Sequence, residues 1–227
     1  MESRKKLRNK YYNIELLKTR IALCVIGVCL CGIAVGFFRY AAFGVDPFTS
    51  FMSGLDVVVP IDYGTLYVFV NAVLLIIVIF LDRKLVGLGT VVNLFLVVYL
   101  AEFVNNGLAK VFPSGSIGPR IICLIIGVLM LSFSAALYMP ADMGVSTYDA
   151  IAMVMADKWH ILQFKYDRII TDFVCVALGV TLYYFSGQPI KSVLAVVNIG
   201  TIITAFFMGP LIDIFTKNFT KRFFLKG

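Results

Sequence analysis

Six long apolar runs determine what this chain can fold into. They cover about 20–42, 64–82, 86–106, 119–139, 166–186 and 190–215, and a helix that spans a membrane needs about 20 mostly apolar residues. Because 60% of the residues are hydrophobic and only 15% are charged, a water-soluble globular domain is a poor explanation. The pattern predicts an all-α membrane protein with six transmembrane helices and no separate soluble domain.

Basic residues at both ends predict the orientation of these helices. The segment 1–19 and the tail 217–227 are rich in Lys and Arg, which collect in short cytoplasmic flanks. Both termini are therefore expected in the cytoplasm, together with the loop 82–84 and the segment 157–168. The segment 55–64 has no basic residue and is expected outside.

The net charge of +7 is therefore primarily an indication of how the helices are oriented in the membrane. It also favours contact with anionic membrane lipids, and we expect no nucleic-acid partner. The cysteines all lie in apolar runs without a cluster of His or carboxylate neighbours, so the sequence predicts no disulfide framework, no metal site and no cofactor.

The second half of the sequence repeats the first. Positions 26–28 recur one hundred residues later at 126–128, and Gly44-Val45 recurs as Gly144-Val145. Further along, Gly89-Thr90 recurs as Gly200-Thr201, so the second copy carries a short insertion near 186–195. We therefore divide the chain into membrane repeat 1 (20–107), a connecting loop (108–118) and membrane repeat 2 (119–216).

Three crossings per repeat imply that the two repeats enter the membrane from opposite sides. This inverted topology is common in secondary transporters, which bind their solute between the repeats. Each repeat also contains an extra short helix, at 46–57 and 146–157, that is either re-entrant or interfacial. If these helices crossed as well, the repeats would be parallel, but about a dozen residues are too few for a span.

Both short helices begin with capping residues. Asp46 precedes Pro47 in the first copy, and Ser146 is followed by Asp149 in the second, with the spacing of a capping box in which Asp149 reaches back to the cap amide. The amides at a helix N-terminus favour an anionic group. One interpretation is a central solute site; the other is that the caps only stabilise two interfacial helices. The candidate solute-binding residues are Asp46, Thr49, Ser50, Ser146, Thr147 and Asp149.

Acidic residues inside the spans are candidates for ion coupling, because an ionisable group in a membrane is costly. Asp172 is the sharpest candidate, although it lies only about two turns from the cytoplasmic end of its helix, where solvation is a rival explanation. Asn71 occupies the equivalent place in the first repeat. Glu102 and Asp213 lie further along equivalent helices and are weaker candidates.

The stretches GVDPFTSFMSGL, GVSTYDAIAMVMAD and NIGTIITAFFMGPLID resemble the YczE/YyaS/YitT-type bacterial membrane proteins. The resemblance covers about residues 18–216 and is greater for the shorter YczE-like branch, because the chain lacks the soluble C-terminal domain of the YitT branch. It implies a multi-pass protein of the bacterial cytoplasmic membrane. It carries over no binding or catalytic residues.

The sequence favours a small secondary transporter or exporter of a small polar or amphipathic solute. No nucleotide-binding loop and no hydrolase motif occur, so we expect neither ATP-driven transport nor an enzyme. The alternatives are a non-transporting scaffold or regulator of a partner complex, and a passive channel or scramblase. The small size is compatible with a homodimer.

Overall fold

The computed structural model describes residues 2–113 and 116–220, with side chains described from residue 16 onward except at position 195. Residues 114–115 of the predicted connecting loop and 221–227 of the predicted basic tail lie outside the described residues. The described chain is all α-helical. Its helices are α1 (Glu2–Ala41), α2 (Pro47–Val58), α3 (Tyr63–Leu81), α4 (Leu88–Val111), α5 (Ile117–Tyr138), α6 (Thr147–Met153), α7 (Phe164–Phe185), α8 (Ile190–Val196) and α9 (Ile199–Phe215).

Six segments of the described chain are long and apolar enough to span a membrane. They are Leu16–Ala41, Tyr63–Leu81, Leu88–Val111, Ile117–Tyr138, Phe164–Phe185 and Ile190–Thr220. Each one overlaps a predicted apolar run, so the prediction of a multi-pass all-α membrane protein is confirmed. The lipid-facing surfaces of these helices carry large exposed apolar side chains such as Phe80 and Phe103.

The short elements lie between the long helices. A 3₁₀ turn at Arg83–Leu85 precedes α4, whereas the seven-residue helix α8 precedes α9. This difference in length accounts for the insertion inferred from the sequence. A π-helical turn, Val154–Lys158, extends α6, and a second one, Thr216–Thr220, extends α9.

Helices α1 and α5 form the centre of the molecule, and glycines allow them to approach closely. A Cβ on Gly27 of α1 would lie 2.8 Å from Tyr138 Cβ of α5. The Ser134 hydroxyl donates a 2.7 Å hydrogen bond to the Gly27 carbonyl at the same crossing. Helix α4 packs on the opposite side of α1, where a Cβ on Gly36 would lie 2.6 Å from Val104 Cβ. These close contacts are the packing expected for small residues between membrane helices.

The turn that follows α1 is completed by the second half of the chain. Gly44 adopts a φ of +98°, which side chains rarely tolerate. The Val45 amide donates to the Val196 carbonyl at 3.0 Å, and the Gly200 amide donates to the Phe43 carbonyl at 2.8 Å.

The turn that follows α5 makes the equivalent contacts with the first half. Gly144 adopts a φ of +96°. The Val145 amide donates to the Leu85 carbonyl at 3.0 Å, and the Gly89 amide donates to the Met143 carbonyl at 2.8 Å. Each turn thus docks at the N-terminus of a long helix in the other half, at positions that correspond in the two sequences.

The two halves differ in how their last two long helices pack. In the second half α7 packs against α9, and a Cβ on Gly209 would lie 2.7 Å from the Lys165 carbonyl oxygen. In the first half α3 and α4, both described over their whole lengths, are not packed against each other in this way. Residues of both helices, including Val68 and Val98, instead line a cavity between them.

Candidate functional site

A cavity of about 1100 Å³ lies between α3 and α4 and extends to the short helices α2 and α6. Its lining includes the exposed residues Asp56 and Asp62 near the loop between α2 and α3. It also includes the buried pair Asp149 and Arg168. The cavity therefore connects an acidic, solvent-exposed rim with an acid–base pair that is almost fully buried.

Helix α2 places Asp46 and Thr49 on the wall of this cavity. Asp46 is the N-cap, as predicted, and accepts hydrogen bonds from the Thr49 amide at 3.1 Å and from the Thr49 hydroxyl at 2.6 Å. Both residues are half-buried and line the cavity. Ser50 is fully buried and is not part of the lining; its carbonyl oxygen lies against Gly179 of α7.

Helix α6 begins at the predicted cap, but its predicted capping box is only half formed. The Asp149 amide donates to Ser146 Oγ at 3.1 Å, as expected. The Asp149 carboxylate, however, does not accept from the Ser146 amide in the described structure; it accepts from the Ser146 hydroxyl at 2.7 Å and from the Tyr138 hydroxyl. Arg168 is its third partner, and this ion pair holds the carboxylate in a different direction.

Of the predicted residues in α6, Ser146 and Asp149 line the cavity. Thr147 is buried outside the lining, and its hydroxyl donates to Asn71 Oδ1 of α3 at 2.7 Å. Thr147 thus fixes α6 to α3.

Arg168 lines the cavity but is not among the candidates predicted from the sequence. It ends the segment 157–168 that is expected in the cytoplasm, lies in the second turn of α7 and is only 4% exposed. Its Nη1 bonds to Asp149, and its Nε lies 3.3 Å from Asp172 Oδ1. Its guanidinium also lies 4.4 Å above the Tyr148 ring. The signal that could have identified it was its spacing of four residues from Asp172 on one helix, which permits an ion pair.

Aromatic residues at equivalent positions meet at the edge of the cavity. Phe48 of α2 and Tyr148 of α6 stack with their ring centroids 5.1 Å apart. The Tyr148 hydroxyl donates to Asp172 Oδ1. Burial raises the pKa of the Tyr148 phenol well above its ordinary value of 10.0, so the phenol remains a hydrogen-bond donor.

The predicted ion-coupling residues have different environments. Asp172 is 0% exposed, which removes the solvation explanation for its position in the span. Glu102 is exposed on α4, and Asp213 forms a 2.6 Å ion pair with Lys217 near the end of α9. Neither Glu102 nor Asp213 lines the cavity.

Within the described residues, no three His, Cys, Asp or Glu side chains are grouped so that they would hold a metal ion.

The model of a family of unknown function, DUF6198, matches residues 18–217. The chain belongs to this family. An uncharacterised protein of Haemophilus influenzae is 23% identical over 195 residues, which cover 86% of this chain and 82% of the relative. No solved structure matches the chain. The matched region thus contains both halves of the fold and the whole lining of the cavity.

Proposed function

We propose that the protein is a small secondary transporter that moves an amphipathic cationic solute across the bilayer by alternating access. In this proposal its two three-span repeats have inverted topology, α2 and α6 are re-entrant, and both termini lie in the cytoplasm of a bacterium. The resemblance to YczE-like proteins of the cytoplasmic membrane is consistent with this location.

The observation that carries the proposal is the difference between the two halves around the cavity. Helices α7 and α9 are packed together, whereas the equivalent helices α3 and α4 leave a cavity that reaches buried charges. If the repeats are inverted, exchanging these two arrangements would close the cavity on one side of the membrane and open it on the other. In transporters with inverted repeats, alternating access is largely a rocking or gating of one repeat against the other around a fixed site, and we propose that here it takes the form of this exchange.

The lining favours a cation over an anion. Among the described residues it contains four carboxylates, Asp46, Asp56, Asp62 and Asp149, and two basic groups, Arg39 and Arg168. Arg168 is already paired with Asp149, whereas the hydrogen bonds that Asp46 accepts within the described structure come from its own helix, and Asp46 is half-buried.

The aromatic lining favours an organic body on that cation. Four aromatic residues that line the cavity form a chain of ring contacts beginning at Phe48, two residues after Asp46. They are Phe48, Tyr63, Tyr67 and Tyr148. Aromatic faces attract cations, by about 0.5–2 kcal/mol each. The exposed apolar residues between α3 and α4, such as Phe69 and Phe95, extend this lining towards the lipid.

A pair of probes with the same shape and opposite charge tests this function. Tetraphenylphosphonium should bind the purified full-length protein saturably, and tetraphenylborate should bind much more weakly. Asp46→Asn should weaken phosphonium binding by about tenfold, equivalent to ~1.4 kcal/mol. Asn is as good an N-cap as Asp, so the variant should keep α2 intact. Asp142→Asn, at an exposed site outside the cavity lining, is the matched control.

Transport is then measured in proteoliposomes. Saturable, Asp46-dependent uptake of tetraphenylphosphonium is expected. Equal binding of the two probes would contradict the cationic solute class. Binding without any uptake would favour the scaffold or regulator, and uptake that does not saturate would favour a passive channel.

A further inference from the structure

The cluster formed by Asp149, Arg168 and Asp172 contains more negative than positive charge. Two carboxylates share one guanidinium, and the exposed fractions of the three residues are 5%, 4% and 0%. A buried charge without a counter-ion is costly in a protein and more so in a membrane. The cluster is neutral only if it also holds one positive charge.

The hydrogen bonds show where that charge is missing. All three partners of Asp149 are donors: Arg168, Tyr138 and the Ser146 hydroxyl. Asp172 Oδ1 accepts from Tyr148 and lies 3.3 Å from Arg168 Nε. Asp172 Oδ2 is buried and has no hydrogen-bond partner among the described residues. Asp149 is thus saturated with donors, and Asp172 is not.

Within the described part of the chain, the groups around the cluster supply no second cation. Arg168 and Cys175 lie on the helix of Asp172, Tyr148 and Asp149 lie on α6, and Asp46 caps α2. Tyr138 of α5 and Cys31 of α1 lie near Arg168. Asp167, also fully buried, is a further acid: its Oδ2 accepts from the Leu162 amide at 3.3 Å, and its Oδ1 has no hydrogen-bond partner among the described residues. It lies 0% exposed on the same helix but is not paired with Arg168 in the described structure. Arg39 lines the cavity but is exposed. A proton on Asp172 Oδ2, unpartnered within the described structure, would neutralise the cluster without any further group.

We infer that Asp172 carries a proton in the solute-free protein and that a cationic solute displaces it. The second part rests on the proposed function. With the proton bound, Asp149 and Arg168 compensate each other and Asp172 is neutral. When a cation enters beside Asp149, Arg168 compensates Asp172, and the proton leaves to water. The net charge of the site is the same before and after, so the protein would exchange one proton for one monovalent cation.

Infrared spectroscopy tests the proton directly. The full-length protein in a maltoside detergent, which has no ester carbonyl, should show the C=O stretch of a protonated carboxyl group at neutral pH. The band should be absent in Asp172→Asn. It should also be absent in Asp149→Asn, because Arg168 then has Asp172 as its only carboxylate. Asp213→Asn, at the partly exposed pair with Lys217, should keep the band.

Absence of the band in the wild-type protein, or its persistence in Asp172→Asn, would overturn the assignment. Persistence in Asp149→Asn would overturn the charge-balance argument. The wild-type spectrum decides the main point even if a variant fails to fold.

The exchange is tested by adding tetraphenylphosphonium to weakly buffered protein. Protons should be released in proportion to the cation bound, and Asp172→Asn should bind the cation without releasing protons. Cation binding without release in the wild type would overturn the exchange and leave the proposed transport function standing. If no cation binds, the exchange and the cationic solute class both fall, while the infrared band still decides whether Asp172 is protonated.

Discussion

At the scale of single residues, Arg168 has the largest expected effect on stability. Arg168→Gln would leave Asp149 buried without its counter-ion, and breaking a buried ion pair typically costs about 3–5 kcal/mol. We therefore expect a large fall in the midpoint of thermal unfolding, measured by circular dichroism in detergent. The comparison variant is Lys217→Gln, because the Lys217–Asp213 pair is partly exposed and such pairs contribute about 0–1 kcal/mol.

Equal midpoints for these two variants would contradict the role of Arg168 as a buried counter-ion. The spacing of four residues could have indicated the pair with Asp172 within α7, but the sequence did not reveal the pairing with Asp149, because a basic residue next to an apolar run looks the same whether it faces water or a carboxylate of another helix. The positive-inside rule counts Lys and Arg in flanks. It does not account for the fold that brings Asp149 of α6 against Arg168 of α7.

At the scale of elements, the turns after α1 and α5 depend on glycine. A Cβ on Gly144 would lie 2.4 Å from the Gly87 amide nitrogen, and the φ of +96° is itself unfavourable for other residues. The backbone conformation alone costs roughly 1–3 kcal/mol. Gly144→Ala is therefore expected to lower the thermal midpoint and to displace the turn from α4.

Gly107→Ala is the matched control for Gly144→Ala. Gly107 lies within α4 with open space where its Cβ would be, and alanine favours a helix over glycine by about 1 kcal/mol. It should leave the midpoint unchanged or raise it. A Gly144→Ala protein as stable as Gly107→Ala would show that the turn adapts to a side chain.

The sequence predicted the elements better than their contacts. Apolar length located all six spans, and the residues Asp46 and Ser146 located the N-termini of α2 and α6. These features are local, because length and capping depend on neighbouring residues. The hydrogen bonds between Val45 and Val196 and between Val145 and Leu85 are not local. They could be inferred only after the two turns were known to face the other half.

The candidate site was predicted in part for the same reason. Asp46, Thr49, Ser146 and Asp149 line one cavity, as a shared solute site requires, while Ser50 and Thr147 point into helix contacts. Neighbours on a short helix face different directions, and the sequence alone did not say which direction was the cavity. That these residues bind a solute stays a prediction.

At the scale of the whole molecule, the packed half predicts how the open half would close. Gly209 meets Lys165 where α9 packs on α7, and the equivalent residues of the first half are Val98 and Gly64, which both line the cavity. Alternating access therefore predicts that Gly64 and Val98 meet in the other state. A disulfide needs Cα atoms about 4.4–6.8 Å apart, so Gly64→Cys with Val98→Cys should cross-link only when the cavity closes.

The experiment uses a chain whose native cysteines are replaced by alanine. Oxidation should trap the closed arrangement and stop uptake of tetraphenylphosphonium. Reduction of the disulfide should restore this uptake. Each single cysteine variant should keep its uptake under oxidation. If no cross-link forms with or without the cation, at any pH at which the double variant still binds it, the two halves do not exchange their arrangements.

The crosswise docking of the two turns also has a consequence for biosynthesis. The Val45 carbonyl accepts a 2.6 Å hydrogen bond from the hydroxyl of Thr201, which is 156 residues further along the chain. A ribosome adds about 5–20 residues per second, so this partner is made roughly 8–30 s later. Throughout that interval the nascent first half lacks the groups that complete its turn. A chain whose translation stops before α9 would keep an open polar turn next to apolar helices, and we expect it to be degraded faster than the full chain, because incompletely folded proteins are triaged by chaperones and proteases.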